Sequence, residues 1–529
     1  MERFRLIGLA LPALLLISAS ARGQHPIVYE VMGKESFDHF GESLALLNDI
    51  DGDAVRDFIA GNERRLGYIR LISGKTGTIL RTWRGTVSGE ELGFCLTAMG
   101  DLDGDGNTDF AAAAWPADIA FFSPVKEGHL ARFSHNLPPD RFAGPTQLTS
   151  ADLDGDRISD IVLGDPGHVL RPEGQRWINT GRASAYSGKD QRLLWHVFGS
   201  KEDNRLGASV VAIGDVDGDG FPDVAIGEPM GFNGLDDGRN FPGRVHIVRG
   251  KDGQDIRILD TELGYFGQEL CNVGDLDGDG FVELAIAATG YRKDRGDQQG
   301  WVGIHSTRTF EVLFSFTGLE GILNEGFHGD GLGYRLGSAG DVDLDGIPDF
   351  LIAAYRVGPG IGPDYGRLDL RSGKTGDLLA SYQETQFIQS WLGALSPLDD
   401  VDGDGRPEFI IGSPNIPIDS LHGKVQVIRF ESDEPRFVRG DANGDGMLDI
   451  SDVIAILGVV YFHDEPGPCL EAMDAGGDGV ITWFDAGRVL TYLFLGAYAP
   501  SPPFPECGRF GGLRTKDLGC RSSPCMTDR

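Results

Sequence analysis

With 529 residues, a formal net charge of −33, 78 glycines and 27 prolines, the chain is acidic and rich in turns. Such an excess of carboxylates excludes nucleic acid and anionic membrane as equilibrium partners, because each phosphate contact needs Lys or Arg to release counter-ions; it favours cations instead. The length allows three or four ordinary domains or one large repeat unit.

The N-terminus carries Arg3 and Arg5, an apolar run from Leu6 to Ile17 and then Ala19-Ser20-Ala21, the layout of a cleavable export signal over residues 1–21. A bilayer span needs about 20 apolar residues, so this run is too short to anchor the chain, and no later segment is long and apolar enough to cross. The expectation is a mature chain starting near Arg22 or Gln24, secreted or held at the cell surface, with no transmembrane segment. Its six cysteines would meet an oxidising compartment. Cys95 and Cys271 stand alone in strand-like segments and read as buried small hydrophobes. Cys469, Cys507, Cys520 and Cys525 crowd the C-terminus as disulfide candidates, with three pairings open.

From 22 to 432 one pattern recurs seven times: three acidic residues at alternate positions, a fourth four places later, then a short apolar run. The quartets are Asp49, Asp51, Asp53 and Asp57; Asp101, Asp103, Asp105 and Asp109; Asp152, Asp154, Asp156 and Asp160; Asp215, Asp217, Asp219 and Asp223; Asp275, Asp277, Asp279 and Glu283; Asp341, Asp343, Asp345 and Asp349; and Asp400, Asp402, Asp404 and Glu408. Their first members lie between 51 and 66 residues apart, the length of a four-stranded propeller blade with its loops. In the first unit the predicted strands are Leu44 to Leu47, Phe58 to Ala60, Tyr68 to Ile72 and Thr78 to Trp83. The last two flank Ser73-Gly74-Lys75-Thr76-Gly77, echoed by Ser372-Gly373-Lys374-Thr375-Gly376 and Ser187-Gly188-Lys189. A phosphate loop would need a further Gly where Ile69 and Leu368 stand, so a hairpin turn explains the motif better.

Ile27 to Ser43 aligns without gaps against Leu193 to Ser209, an outermost strand leading into the next unit. The seventh unit leaves the pattern after its third strand, Lys424 to Phe430. The N-terminal strand is therefore predicted to complete the last blade and close the ring.

Carboxylates at positions 1, 3, 5 and 9 of each loop, with a position-7 carbonyl, supply only hard oxygen donors. Such a set favours calcium over zinc or copper, at about seven propeller sites. Four carboxylates so close repel one another, so cation binding is expected to couple to folding. Position 6 calls for Gly, present at Gly106, Gly220, Gly280, Gly346 and Gly405 but replaced by Ala54 and Arg157; the first and third sites are expected to be the weakest. Long loops on the opposite face carry Trp177, Tyr291, Phe327, His328, Tyr355 and Tyr365, candidates for contacting a glycan or an extracellular protein.

An apolar residue and Gly precede the loops at Phe40-Gly41, Leu92-Gly93, Leu206-Gly207, Phe266-Gly267, Leu336-Gly337 and Leu392-Gly393, with Phe142-Ala143 deviating; Gly164-Asp165-Pro166, Gly227-Glu228-Pro229 and Gly412-Ser413-Pro414 follow them. These features resemble the FG-GAP repeats of the integrin alpha-subunit propeller over residues 26 to 432. The resemblance implies a calcium-bearing propeller and leaves the ligand open.

Beyond Arg436, Asp441, Asn443, Asp445, Asp449 and Asp452 occupy positions 1, 3, 5, 9 and 12 of a second kind of loop, with Gly446 at position 6 and the apolar Val453 to Phe462 after it. Asp474, Asp478, Thr482 and Asp485 repeat the pattern ahead of Val489 to Leu495, with Gly476 lacking a donor at position 3. Tandem loop-helix units resemble a dockerin domain, here 437–510, with 511–529 as a cysteine-containing tail. The resemblance implies one or two further calcium sites and a cohesin-like partner. Positions 10 and 11 differ between the copies, Ile450-Ser451 against Trp483-Phe484, so a surface or assembly tag is equally open. A small module of this kind would gain from a disulfide clamp through Cys469 or Cys507. The Arg-Gly-Asp triplets at 295–297 and 439–441 read as accidental.

The sequence thus predicts an all-β, seven-bladed propeller followed by a small α-helical module, acting as a non-enzymatic adhesion or carbohydrate-binding protein. The competing expectation is a polysaccharide-degrading enzyme of lyase or glycoside hydrolase type, or an accessory subunit of polysaccharide catabolism, with His328 and Lys293 as its candidates. No His-Glu-x-x-His or Gly-x-Ser-x-Gly motif supports catalysis.

Overall fold

The computed structural model describes residues 27–501 and 504, apart from 35–38, 63–65, 87–89, 115–117, 135–146, 171–177, 200–202, 231–241, 292–298, 320–328, 358–364, 384–391, 415–422, 431–436, 468 and 478–479. The export signal over 1–21, the tail 511–529, Cys507, Cys520, Cys525, Asp478, Trp177, Phe327, His328, Lys293, the Phe142-Ala143 pair and the first Arg-Gly-Asp triplet lie outside the described residues. The chain divides into two compact units, one of residues up to 376 with 381–429, the other of 377–380 with 430 onward.

Seven four-stranded sheets build the first unit. In the first blade the strands are Leu44–Leu46, Phe58–Asn62, Tyr68–Ile72 and Ile79–Arg84, in sequence order across the sheet. The second and third are buried throughout, because neighbouring blades cover both their faces, whereas the outermost buries only Trp83. The first strand of each blade packs on that of the next, and Leu395–Pro397 packs on Leu44–Leu46, so the sheets form a closed ring. The core lies between blades: Ile59, Ile69 and Trp83 of the first meet Phe110 and Phe122 of the second.

Closure uses the N-terminus as the repeat comparison predicts. Ile27–Met32 pairs antiparallel with Lys424–Ile428 and becomes the fourth strand of the seventh blade. Tyr29 reaches the Gly74 carbonyl of the first blade, as Trp195 reaches the Gly250 carbonyl from the outermost strand of the third blade. The two halves of the alignment therefore do the same job.

The repeated glycines have a packing cause. A Cβ on Gly227 would sit 2.0 Å from the carbonyl oxygen of Gly267 in the next blade; one on Gly61 would sit 2.1 Å from that of Gly93, and one on Gly412 1.9 Å from that of Gly41, where the ring closes. Blade is laid on blade backbone to backbone, and no side chain fits between. Gly227→Ala is expected to cost about 1–3 kcal/mol, read as a lower denaturation midpoint.

In the sixth unit the structure corrects the motif's position. Gly333, with φ +91°, takes the place of the other motif glycines, and Leu332 bridges Gly300 as Leu92 bridges Gly67. The pair is thus Leu332-Gly333, and Leu336-Gly337 lies within the strand Leu332–Gly340. Both are Leu-Gly, but only Gly333 stands eight residues before its loop, as Gly93 and Gly267 do.

In the second unit, α1 (Ile450–Leu457) continues as a π-helical turn to Phe462, and α2 (Leu470–Met473) and α3 (Trp483–Leu495) follow. Asp449 with Asp452, and Thr482 with Asp485, form capping boxes at the starts of α1 and α3. Val453, Ile456, Met473, Ala486 and Val489 make the small core. Cys469 is disulfide-bonded, its partner lying outside the described residues, while Cys95, buried, and Cys271, half-buried, are thiols outside any disulfide. Arg439 of the second Arg-Gly-Asp triplet is wholly buried and donates to the carbonyls of Glu471 and Asp474, which withholds it from any outside partner.

Candidate metal centre

Each acidic loop joins the first two strands of its blade and folds around its own first carboxylate. Asp101 Oδ1 accepts from the N–H groups of Gly104 and Asp105, and Oδ2 from Gly106. Asp215, Asp275 and Asp400 repeat this set. The ninth-position carboxylate is buried and accepts from the N–H of position 2, at 2.8 Å in Asp57, Asp109, Asp160, Asp223 and Asp349 and at 2.5 Å in Glu283 and Glu408. Its other oxygen accepts from a glycine N–H in the turn between strands three and four: Gly74, Gly188, Gly250 and Gly373. The glycine of the Ser-Gly-Lys turn is required here, since a Cβ on Gly373 would lie 1.8 Å from the Pro348 carbonyl oxygen.

In the second blade Pro124 replaces that glycine and has no N–H to give. Among the described residues Asp109 Oδ1 is buried there without a hydrogen-bond partner, as are Glu283 Oε1 and Glu408 Oε1. Ligand atoms of Asp400, Asp402, Asp404 and Glu408 lie within 4.8 Å of one another, as do those of Asp49, Asp51 and Asp53; Asp101, Asp103 and Asp109; Asp152, Asp154 and Asp160; and Asp215, Asp217 and Asp223. Orphaned buried carboxylate oxygens inside an all-oxygen cluster fit a hard divalent cation. Burial, reinforced by neighbouring carboxylates, pushes the ninth-position acids up, to about 6 for Asp109, Asp160 and Asp223 and about 7 for Glu283, Asp349 and Glu408.

The left-handed positions number two per loop. Ala54 and Arg157 at position 6 have φ +73° and +69°. Position 4 is equally left-handed; it is Gly in six loops but Leu344, at φ +63°, in the sixth. Sequence reasoning missed this second requirement, which the glycines at 52, 104, 155, 218, 278 and 403 signal. Leu344→Gly and Arg157→Gly are each expected to stabilise the chain by about 1 kcal/mol, measured by denaturation.

In the second unit, Asp441 accepts from Gly444, Asp445 and Gly446, and Asp452 from Asn443 and Asp449. Asp474 and Asp485 are buried in the second loop, Asp485 accepting from Gly476 and Thr482.

On the opposite face, Tyr291 is half-buried against the core between the fourth and fifth blades, Tyr355 packs on Tyr334 with ring centroids 5.6 Å apart, and Tyr365 begins a third strand. The structure adds buried charge there that the sequence reading did not single out. Asp165 lies 3.6 Å from Arg182 and 3.7 Å from His168. Arg367 lies 2.9 Å from Asp330 and Arg132 2.7 Å from Glu90. Glu90 and Asp330 stand two residues before the apolar-Gly pair, a position that could have marked them. Toward the axis, Arg335 lies 3.6 Å from both Glu269 and Glu42, and Gln147 donates to Glu269, linking four blades.

His246 is held between Glu228 at 3.1 Å and Asp255 at 3.0 Å, one on each ring nitrogen. Burial lowers its pKa, but the two carboxylates outweigh that and hold it above the ordinary value. The stabilisation is full below an unfolded pKa of about 6.5 and is lost as pH rises through the higher folded value. His246→Gln is expected to flatten this part of the stability–pH profile, checked by thermal melts from pH 5 to 9.

The FG-GAP repeat family matches residues 207–248 and 266–302, and the FG-GAP-like repeat family matches 101–163. Integrin alpha-4 of Xenopus laevis is 36% identical over 154 residues, covering 27% of this chain and 14% of that protein. Integrin alpha-V of Gallus gallus is 31% identical over 219 residues, covering 39% and 19%, and integrin alpha-5 of Xenopus laevis 28% over 209, covering 36% and 19%. The matched part is less than a fifth of each relative's length. The first unit is thus a seven-bladed β-propeller that carries FG-GAP repeats over 101–163, 207–248 and 266–302 and is similar in sequence to integrin alpha subunits over the matched residues.

Proposed function

We propose that the chain is an exported, non-enzymatic binding module whose propeller is held together by calcium. The observation that carries the reading is the recurrence on every blade of an all-oxygen carboxylate loop whose ninth member is buried. Metal-ion stabilisation of the ring would hold the opposite face, with its aromatic and charged loops, ready for an extracellular protein or glycan. Similarity to integrin alpha subunits supports adhesion or binding. Among the described residues no helix is long and apolar enough to cross a membrane.

The second unit serves in this reading as an attachment module of dockerin type. Ile450, Trp483 and Phe484, at positions 10 and 11 of its loops, are exposed apolar side chains, as a docking face requires. Elemental analysis of the purified chain is expected to find calcium, and a glycan array a binding signal that chelator abolishes. Unsaturated ends appearing in pectin or uronan incubated with the protein would overturn the non-enzymatic reading.

A further inference from the structure

Every acidic loop of the propeller is met by a basic side chain of its own blade. Lys126 Nζ lies 2.6 Å from Asp103 Oδ2, Lys189 Nζ 3.3 Å from Asp156 Oδ2, Arg249 Nε 2.9 Å from Asp217 Oδ2, and Arg429 2.9 Å from Asp402 Oδ2. Arg308 and Lys374 stand at 3.6 and 3.8 Å from Asp279 and Asp345, and Lys75 donates to the Asp53 carbonyl at 3.0 Å. Wherever a carboxylate is met, it belongs to position 3 or 5 and offers Oδ2. In position 5 the other oxygen, Oδ1, is already taken by the N–H of position 7, as in Asp105 and Asp219.

These bases do not share one place in the chain. Strand pairing aligns Ser73 with Arg249 and Arg429, Lys75 with Lys189, Arg308 and Lys374, and Thr76 with Lys126. The turn keeps a lysine at the place of Lys75 in four blades, yet in the fourth that residue, Lys251, lies over the Phe221 ring and Arg249 meets the loop instead. In the third blade Arg192 adds a contact from a further place, 2.6 Å from Asp154 Oδ2. Charge delivered to the loop carboxylates from several positions indicates that the charge itself is what the loop needs. This also gives the lysine of the Ser-Gly-Lys turn a role that phosphate binding could not.

We propose that the basic residue after the third strand of each blade is a tethered counter-ion for that blade's acidic loop and sets its calcium affinity. The inference rests on the metal reading above. A positive charge on the outer carboxylate oxygens offsets part of the repulsion when no metal is bound, and it opposes a doubly charged ion bound beside it. The bases are between a third and three-fifths exposed, so solvent and salt screen both effects. Removing one should tighten its loop's calcium affinity by roughly three- to tenfold and make the metal-free loop less stable.

The test uses the full secreted chain with Lys126→Gln, Lys189→Gln, Arg249→Gln and Arg429→Gln combined, beside a partner carrying the Lys↔Arg exchanges at the same four positions. Calcium is titrated at low ionic strength by calorimetry and by thermal melts. The Gln chain is expected to melt lower in chelator and to reach its calcium-stabilised midpoint at a three- to tenfold lower concentration, and the exchanged chain to match wild type. Should the Gln chain fail to fold without metal, single Arg249→Gln, one site in seven, carries the same expectation for one site. A wild-type response to calcium with an unchanged or weakened response in the Gln variants overturns the counter-ion. A wild-type chain indifferent to calcium overturns the metal reading, and the counter-ion with it.

Discussion

In excess chelator the purified chain is expected to melt roughly 20 °C below its midpoint in millimolar calcium. Each site filled at about a hundred times its Kd contributes about 2.7 kcal/mol, and seven such sites in a ring of this size correspond to a shift of that order. The effect should depend on pH in a stated direction. Without metal the buried ninth-position acids have folded pKa values raised to about 6 or 7. The stability they confer when protonated is full below the ordinary carboxylate range and is lost as pH rises through those values. Calcium binds the ionised form, so the gap between the two melting curves should be small near pH 5 and largest near pH 8. Calorimetric scans across this range check it, and equal midpoints at pH 8 would remove the basis for metal coupling.

Deleting the chain through Met32 is expected to be more damaging than any single core substitution. Ile27–Met32 supplies the whole ladder partner of Lys424–Ile428, buries Val31 and places Tyr29 against the turn of the first blade. Its loss leaves an unpaired edge on the seventh blade and opens the contact with the first. The truncated chain should melt broadly, at least 10 °C lower by the same scaling, and associate through the free edge. Size-exclusion chromatography and circular dichroism read both effects. A peptide spanning 26–43 added in trans should restore the monomer, and a truncated chain that stays monomeric with an unchanged midpoint would refute the closure.

Much of the ring is written locally. Strand-loop-strand periodicity around Asp101 to Asp109, or Asp215 to Asp223, depends on short-range alternation and on a loop that folds around its own first carboxylate. A linear reading therefore recovers seven blades, the loop positions and even the strand borrowed from the N-terminus, because Ile27 to Ser43 repeats Leu193 to Ser209. Two local points escaped it. The choice between Leu332-Gly333 and Leu336-Gly337 was open to the eight-residue spacing that only Gly333 keeps, and the structure shows its cause, the approach of Gly333 to Ala287, Val302 and the Trp301 carbonyl. Leu344 looks like an ordinary loop residue until its positive φ is seen.

The sequence alone determined the repeat and its oxygen-only donor sets, since these follow from residue type and spacing. Only the tertiary structure decided that Gly227 touches the backbone of the next blade, that Arg335 joins Glu42 and Glu269 near the axis, and that a basic side chain meets each acidic loop. Those pairings join residues tens to hundreds of positions apart. The first two arise only when neighbouring blades stack in the ring, and the third when the strands of one blade pair and bring the turn after the third strand beside the loop.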